Sequence, residues 1–299
     1  MADAWAIDVV DLRKTYGEVE ALRGLTVRVP PGSICGFLGR NGAGKTTTIK
    51  VLLGMTRPTS GTARIFGLAA DRPEDSVRIR QRTGFVSEEK DLYDVMTVDQ
   101  IIRFTARFYP GWQKELEDRY VRAFELSRDR QIRDLSRGMR TKLALLLAFS
   151  RGADLLILDE PTSGLDPAAT EEVLQALVSH VASREVTVFL SSHHLNQIEQ
   201  VADRVVIIDR GQAIVDGGLE DLRDSYRRVQ LVFDTPAPDV TPRAPGIVST
   251  ERRGRVLTMM CRAGVEELLA ELRPLNAAAV EVMPVSLKEI FLESVNGDH

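Results

Sequence analysis

The chain has 299 residues, 43% of them hydrophobic and 27% charged, with a formal net charge of −4. That is the composition of an ordinary soluble globular protein with room for roughly two domains, and it offers no basic field for DNA or RNA. No cationic stretch followed by an apolar one opens the N-terminus, so no secretion signal is expected. The richest apolar run, Leu143 to Phe149, is far short of the roughly 20 residues that a membrane span needs. Any membrane role is therefore expected to come through a partner. Cys35 and Cys261 lie far apart in apolar runs and read as reduced packing residues, which suits a cytosolic location.

In chain order, "IDVVDLRKTY" reads as a strand and "LTVRVPPGSICGFLG" as a pair of strands joined at the turn signal Pro30-Pro31-Gly32. "SICGF" runs into a glycine-rich segment, and "KTTTIKVLLGM" then has helical spacing through Ile49, Leu52 and Leu53. "GTARIFG" is another strand. From about Asp71 to Ser150 the pattern is mostly helical, with Ile101, Ile102, Phe104 and Phe108 near one face, while "WQKELEDRYVRAFEL" reads as a solvated helix. "LLILD" and "VTVFLSS" are short, nearly unbroken apolar runs bounded by polar residues, the pattern of buried parallel strands. The helix between them starts with Asp166 as N-cap and Pro167 in its first turn, giving a right-handed crossover. "DRVVIIDRGQAIVDG" reads as a hairpin.

Near residue 228 the composition shifts. "RVQLVFD" alternates, "TPAPDVTPRAPG" is a proline-rich connection, and "IVSTERRGRVLTMMC" is two strands turning at Arg253-Gly254. Val265, Leu268, Leu269 and Leu272 share one helical face, and "SLKEIFLES" opens on a capping box of Ser286 and Glu289. The expected organisation is α/β throughout: a main domain over 1–227, with a helical part at about 72–150, and a small C-terminal α/β domain over 228–299.

"GRNGAGKT" fits G-x-x-x-x-G-K-[ST] from Gly39 to Thr46, in a strand–loop–helix setting. Gly39, Gly42 and Gly44, with Arg40, Asn41 and Ala43 between them, allow backbone N–H groups to turn inward around phosphates. Lys45 can reach the β/γ oxygens, the Thr46 hydroxyl suits Mg²⁺, and Thr47 is the next hydroxyl at the helix start. The bland alternative is a glycine-rich turn capping a core helix. Asp159 ends a hydrophobic strand where open α/β sheets bind ligands and can hold the metal, while Glu160 can act as general base for a water. "LSRGM", residues 135–139, opens a further helix on Ser136 and so makes a second anion site.

"GRNGAGKTT", "LSRGM", "LLILDEP", "SGLD" and "LSSHH" occur in the order and at about the spacing of an ATP-binding cassette (ABC) ATPase, and the chain resembles that family up to about Ser225. The resemblance implies a P-loop ABC core with an antiparallel β subdomain and a helical subdomain. It also implies a head-to-tail dimer, with a like or unlike ABC subunit, closed around two Mg·ATP. Each signature then meets the ATP of the other subunit, Ser136 bonding a phosphate and Gly138 allowing close backbone approach. By the same likeness Tyr16 stacks on adenine, Asp166 lies in the loop that crosses the interface, and His193 is the switch histidine at the γ-phosphate. His194 is expected at a helix start or in solvent, and His180 at the surface.

The chain departs from the family's pattern at Glu88, where glutamine is usual, and at Arg137 and Met139 of the signature. An ionised Glu88 can still ligate the metal but offers only acceptors. The short signature, the double-acidic segment Glu88–Glu89 and the C-terminal extension resemble ATPase subunits of bacterial exporters whose permeases are separate chains. That likeness implies a protein at the inner face of the cell membrane, its permease docked near 88–98, with no direct nucleic-acid partner. The alternatives are a non-transport ABC ATPase acting on ribosomes or DNA, and a degenerate cassette that binds ATP within a heterodimer.

Overall fold

The structure, a computed structural model, describes residues 5–296. Two compact units divide the chain, Met1–Asp216 and Gly217–His299.

In the first unit, β1 (Ile7–Tyr16) and β2 (Val19–Val29) pair antiparallel with several bulges. Alternate residues Ile7, Val9, Leu25, Val27 and Val29 are buried, the pattern of a sheet with one solvated face. The turn at Pro31–Gly32 then takes the chain into a different sheet, since β3 (Ile34–Gly39) is buried at every residue and pairs with neither strand. After α1 (Lys45–Leu52), β4 (Ser60–Ile65) returns to pair with β1, and β5 (Leu68–Ala69) closes this four-stranded sheet.

α2 (Pro73–Arg82) leads into β6 (Thr83–Val86), which interrupts the helical segment and joins the edge of the second sheet. Three helices follow: α3 (Val98–Ala106), α4 (Lys114–Ala123) and α5 (Arg137–Phe149). β7 (Leu155–Asp159), α6 (Pro167–Ala182) and β8 (Thr187–Ser192) form the expected crossover, β7 and β8 lying side by side in parallel. Beyond α7 (Leu195–Val201), β9 (Arg204–Asp209) and β10 (Gln212–Gly218) are joined by Arg210-Gly211. Both turn residues have positive φ, 45° and 79°, as a two-residue type I′ hairpin turn requires. The sheet order is β10-β9-β3-β8-β7-β6, with β9 through β6 parallel. The C-terminal ends of β3 and β7 therefore share one edge, separated only by β8.

One core unites the layers. Ile7 and Leu25 of the antiparallel sheet, Ile49 and Leu52 of α1, and Phe37, Ile157 and Phe189 of the parallel sheet belong to a single cluster. Phe37 and Phe189 meet with ring centroids 4.7 Å apart. Each such fully buried side chain contributes about 1.5–3 kcal/mol.

Two expectations fail here. α4 is not a solvated helix: Leu116, Glu117 and Tyr120 are buried. Glu117 tolerates this because Trp112 Nε1, Lys114 Nζ and Arg128 donate to its carboxylate at 2.9, 2.6 and 2.8 Å. Burial alone would raise its carboxyl, and those donors outweigh it and hold the group below the ordinary range. His180 is not at the surface either, being only 2% exposed. Its ring stacks on Phe149 at 4.2 Å, and Nδ1 lies 3.1 Å from the Tyr120 hydroxyl. The charged neighbours of its helix mask a buried face at the C-terminal end.

The second unit begins with the short helix α8 (Leu219–Ser225), ahead of the composition change. β11 (Arg227–Val232), β12 (Ile247–Arg253), β13 (Val256–Cys261) and β14 (Ala279–Pro284) make an antiparallel sheet in the order β12-β13-β11-β14. α9 (Val265–Leu272) packs Leu268 and Leu272 against Val229, Leu231, Leu257 and Met259. α10 (Leu287–Asn296) starts on the capping box: Ser286 Oγ accepts from the Glu289 N–H at 3.3 Å, and Glu289 Oε2 accepts from the Ser286 N–H at 2.9 Å. Cys35 and Cys261 are free and buried, and burial pushes both thiols up.

Candidate active site

Gly39 ends β3, and the next residues form the loop that feeds α1. Gly42 has φ +82° and Gly44 φ +111°, left-handed conformations that glycine adopts without strain. A Cβ at Gly44 would also stand 2.8 Å from Leu22 Cδ2. Gly44 is the N-cap and brings no side-chain cap, so no N-cap side chain takes up the first N–H groups of α1. This is the physical basis of an anion cradle. Arg40, Asn41, Gly42, Gly44, Lys45, Thr46 and Thr47 line a cavity of about 510 Å³, together with Glu88, Glu160 and His193. Gly39 and Ala43 are buried and do not line it.

The sheet carries the chemistry to this cavity. Asp159, 3% exposed, stands at the end of β7, where its Oδ2 accepts from Thr46 Oγ1 at 3.2 Å. Ser191 Oγ donates to Asp159 Oδ1 at 2.5 Å and accepts from the Glu160 N–H at 3.1 Å. Glu160 is 5% exposed, with Oε2 at 2.9 Å from His193 Nδ1 and Oε1 at 3.6 Å from Lys45 Nζ. Lys45 Nζ donates to the Gly39 carbonyl at 2.8 Å. Glu160 has φ +47°, a left-handed backbone that costs a residue with a side chain about 1 kcal/mol or more. Its carbonyl accepts from Lys90 Nζ at 3.1 Å. Burial pushes the Lys90 ammonium down, Arg137 adds to this, and Glu88, Glu160 and Asp159 oppose it.

The metal expected with the nucleotide fits this donor set. The Thr46 hydroxyl and the Asp159 and Glu88 carboxylates are hard oxygen ligands of the kind Mg²⁺ prefers. Asp159 is bonded by two hydroxyls, and among the described residues no Lys or Arg pairs with it, so a buried carboxylate there gains from a cation. No group of three or more His, Cys, Asp or Glu side chains gathers there among the described residues. Such a site depends on ligands from the phosphates themselves.

Ser136, Gly138 and Asp166 come together elsewhere, around a second cavity of about 440 Å³ that Arg137, Met139 and Leu165 also line. Ser136 is the N-cap of α5 and accepts from the Met139 N–H at 3.2 Å; Asp166 caps α6 and accepts from the Ala169 N–H at 2.9 Å. Two helix starts therefore open on one cavity. Arg137 lays its guanidinium against Gly164, where an added Cβ would meet it at 2.2 Å. Tyr16 lines neither cavity. It is 46% exposed at the end of β1, with Lys14 Nζ 4.7 Å from its ring centroid. His194 is exposed at the start of α7.

Sequence reasoning did not single out Ala21 and Ser163, which line the first cavity, nor the contacts of Ser191 and Lys90. Ser163 and Ser191 lie inside the segments "SGLD" and "LSSHH", which was the signal available for them.

Residues 22–163 match the family described as ABC transporter. The chain is 33% identical to the Nod factor export ATP-binding protein I of Cupriavidus metallidurans, across 95% of each chain. A solved ATP-binding subunit of an ABC transporter superposes with TM-score 0.66 and 32% identity, over 73% of this chain and 92% of that one. The ATP-binding cassette MJ0796, solved as a dimer in a post-hydrolysis state bound to ADP and Pi, shares the fold with TM-score 0.65 and 21% identity over 71% of this chain and 98% of its own. With the phosphate loop, the acidic strand end and the signature helix in place, the chain belongs to the ABC transporter family as an ATP-binding, ATP-hydrolysing subunit.

Proposed function

We propose that two such subunits close head-to-tail on two ATP molecules and drive a separate membrane permease, most simply an exporter. The observation that supports this best is Asp159 bonded to Thr46 at the phosphate loop and Glu160 lining the loop's cavity, with Ser136 and Gly138 presented on another. Each nucleotide then lies between the loop of one subunit and the α5 start of the other, and Asp166 meets the partner at the interface.

In this reading the loop N–H groups and Lys45 hold the β/γ-phosphates. Thr46, Asp159 and Glu88 would hold Mg²⁺, which would supply charge that neutralises the phosphates. Glu160 accepts the proton of a water aligned with the γ-phosphate, and Lys45 and His193 stabilise the charge that develops. His193 is already bonded to Glu160 at 2.9 Å, so base and switch histidine act as one unit. Tyr16, exposed at its strand end, stacks on the base.

The permease docks beside the segment 88–98. A groove of about 260 Å³ lies there, lined by Lys90, Tyr93, Ile101, Phe104 and Leu147. Tyr93, Phe104 and Phe108 are exposed and meet edge to face at 5.9 and 5.2 Å. An exposed aromatic cluster beside a groove suits an amphipathic element of a partner. Among the described residues no helix is long and apolar enough to cross a membrane. The subunit then works on the cytoplasmic side, attached through the permease.

Glu160→Gln tests the cycle. The variant is expected to bind ATP, lose turnover and elute as a dimer with Mg·ATP in size-exclusion chromatography; wild-type turnover overturns the base assignment. A pull-down of the trapped dimer from detergent-solubilised cells is expected to bring a polytopic membrane protein. Ribosomal or DNA-bound proteins in its place overturn the transport reading and leave the ATPase standing.

A further inference from the structure

The conformation of Glu160 is imposed from several sides. Its N–H meets Ser191 twice, at the hydroxyl (3.1 Å) and the carbonyl (3.2 Å). Its own carbonyl takes the Ser163 N–H at 3.1 Å and the Lys90 ammonium at 3.1 Å. The first three contacts come from the same turn and the neighbouring strand. Lys90 comes from the loop after β6, on the far side of the signature helix in sequence.

Lys90 is an unusual residue in its own right. It is 5% exposed, and its φ of +50° lies in the left-handed region. Burying an ammonium against a neutral carbonyl is a poor source of stability. Strained backbone at both ends of one hydrogen bond is the mark of a position that the surroundings over-determine. Lys90 is also one of the residues that line the groove, beside Ser87, Asp91 and Tyr93. One lysine therefore belongs to the groove's lining and bonds the peptide that carries the catalytic carboxylate.

We infer that Lys90 is a positioning residue that couples the groove to hydrolysis: by holding the Glu160 carbonyl it sets where the Glu160 carboxylate stands. Movement of the 87–93 segment by a partner in the groove moves the Lys90 ammonium, and the Glu160 peptide turns with it. Release of that bond lets the left-handed residue relax, which swings its side chain away from Lys45 and His193. The inference rests on Glu160 being the base, and on the groove being where the permease docks.

The test is steady-state ATPase of the full chain carrying Lys90→Met, Lys90→Leu and Lys90→Arg, each alone and combined with Glu160→Gln. A displacement of the carboxylate by about 1 Å is expected to lower kcat about 10- to 100-fold in Lys90→Met, with KM for ATP unchanged. Lys90→Arg, which can still donate, is expected to recover most of that loss. In the Glu160→Gln background Lys90→Met is expected to cost nothing further, because both act through one group. Lys90→Leu, which likewise cannot donate, carries the same comparison if the methionine variant does not fold. Wild-type kcat, a loss carried by KM, or a further loss on top of Glu160→Gln overturns the inference. Wild-type turnover by Glu160→Gln alone would instead defeat the base assignment, so the two failures are told apart.

Discussion

His180→Phe isolates a stability effect that this fold builds around one buried imidazole. His180 stacks on Phe149 with 12° between the rings, and Tyr120 faces its Nδ1 at 3.1 Å. Burial, with Arg184 and Arg119 adding to it, pushes the imidazole from 6.5 down to about 4. The unfolded chain therefore takes up a proton near pH 6.5 and the folded chain only near pH 4. Stability that is fully present above pH 6.5 is lost as the pH falls through this window. The gap of about 2.5 pH units corresponds to about 3 kcal/mol. Phenylalanine keeps the stack, cannot titrate, and leaves the Tyr120 hydroxyl unpaired at a cost of about 1–3 kcal/mol. The variant is expected to be the less stable protein at pH 7.5 and to lose that disadvantage by pH 4.5. Urea unfolding followed by tryptophan emission is the assay, since Trp112 is bonded to Glu117 of α4 beside Tyr120. Carboxylates common to both proteins cancel in the difference. A stability difference that stays constant across that pH range refutes the assignment of a neutral buried His180.

Ser191→Ala removes the hydroxyl that bonds both Asp159 and the Glu160 N–H. Unfolding is expected to show a loss of about 1–3 kcal/mol, and ATPase assays a fall in kcat; unchanged kcat would mean that the hydroxyl does not position the acidic pair. In the second unit, burial tends to raise the Glu289 carboxyl, but the Ser286 donors and Arg228 outweigh it and hold the group below its ordinary value. Its contribution is present above that ordinary value and is lost as the pH falls through the lowered one. Glu289→Gln is expected to cost about 0.5–2 kcal/mol at neutral pH and to flatten the acid limb of stability, measured by thermal melting from pH 7 to 3. An unchanged acid limb would refute it.

Much of the first cavity was legible because its pattern is local. The phosphate loop occupies eight consecutive residues, and the helix start that completes it follows directly. The caps at Ser136, Asp166 and Ser286 were legible for the same reason, each being a bond across three residues. The nearly unbroken apolar runs around β7 and β8 marked a parallel sheet buried on both faces. The misreadings share one cause. The charge of Glu117 suggested solvent, yet partners within and beyond its own turn satisfy it in the interior. His180 looked like a surface residue because sequence does not say which helix face meets Phe149 and Tyr120.

The amino-acid sequence by itself determined the phosphate loop, the acidic strand end, the signature helix and the order of the strands' appearance, since backbone conformation and capping depend on near neighbours. Only the tertiary structure decided that Ser191 would hold Asp159, that His193 would meet Glu160, and that Lys90 would reach the Glu160 carbonyl across 70 residues of chain. Those bonds depend on which strands lie side by side and how the loops after them pack. Side-chain spacing along one segment carries no record of a partner that another segment supplies.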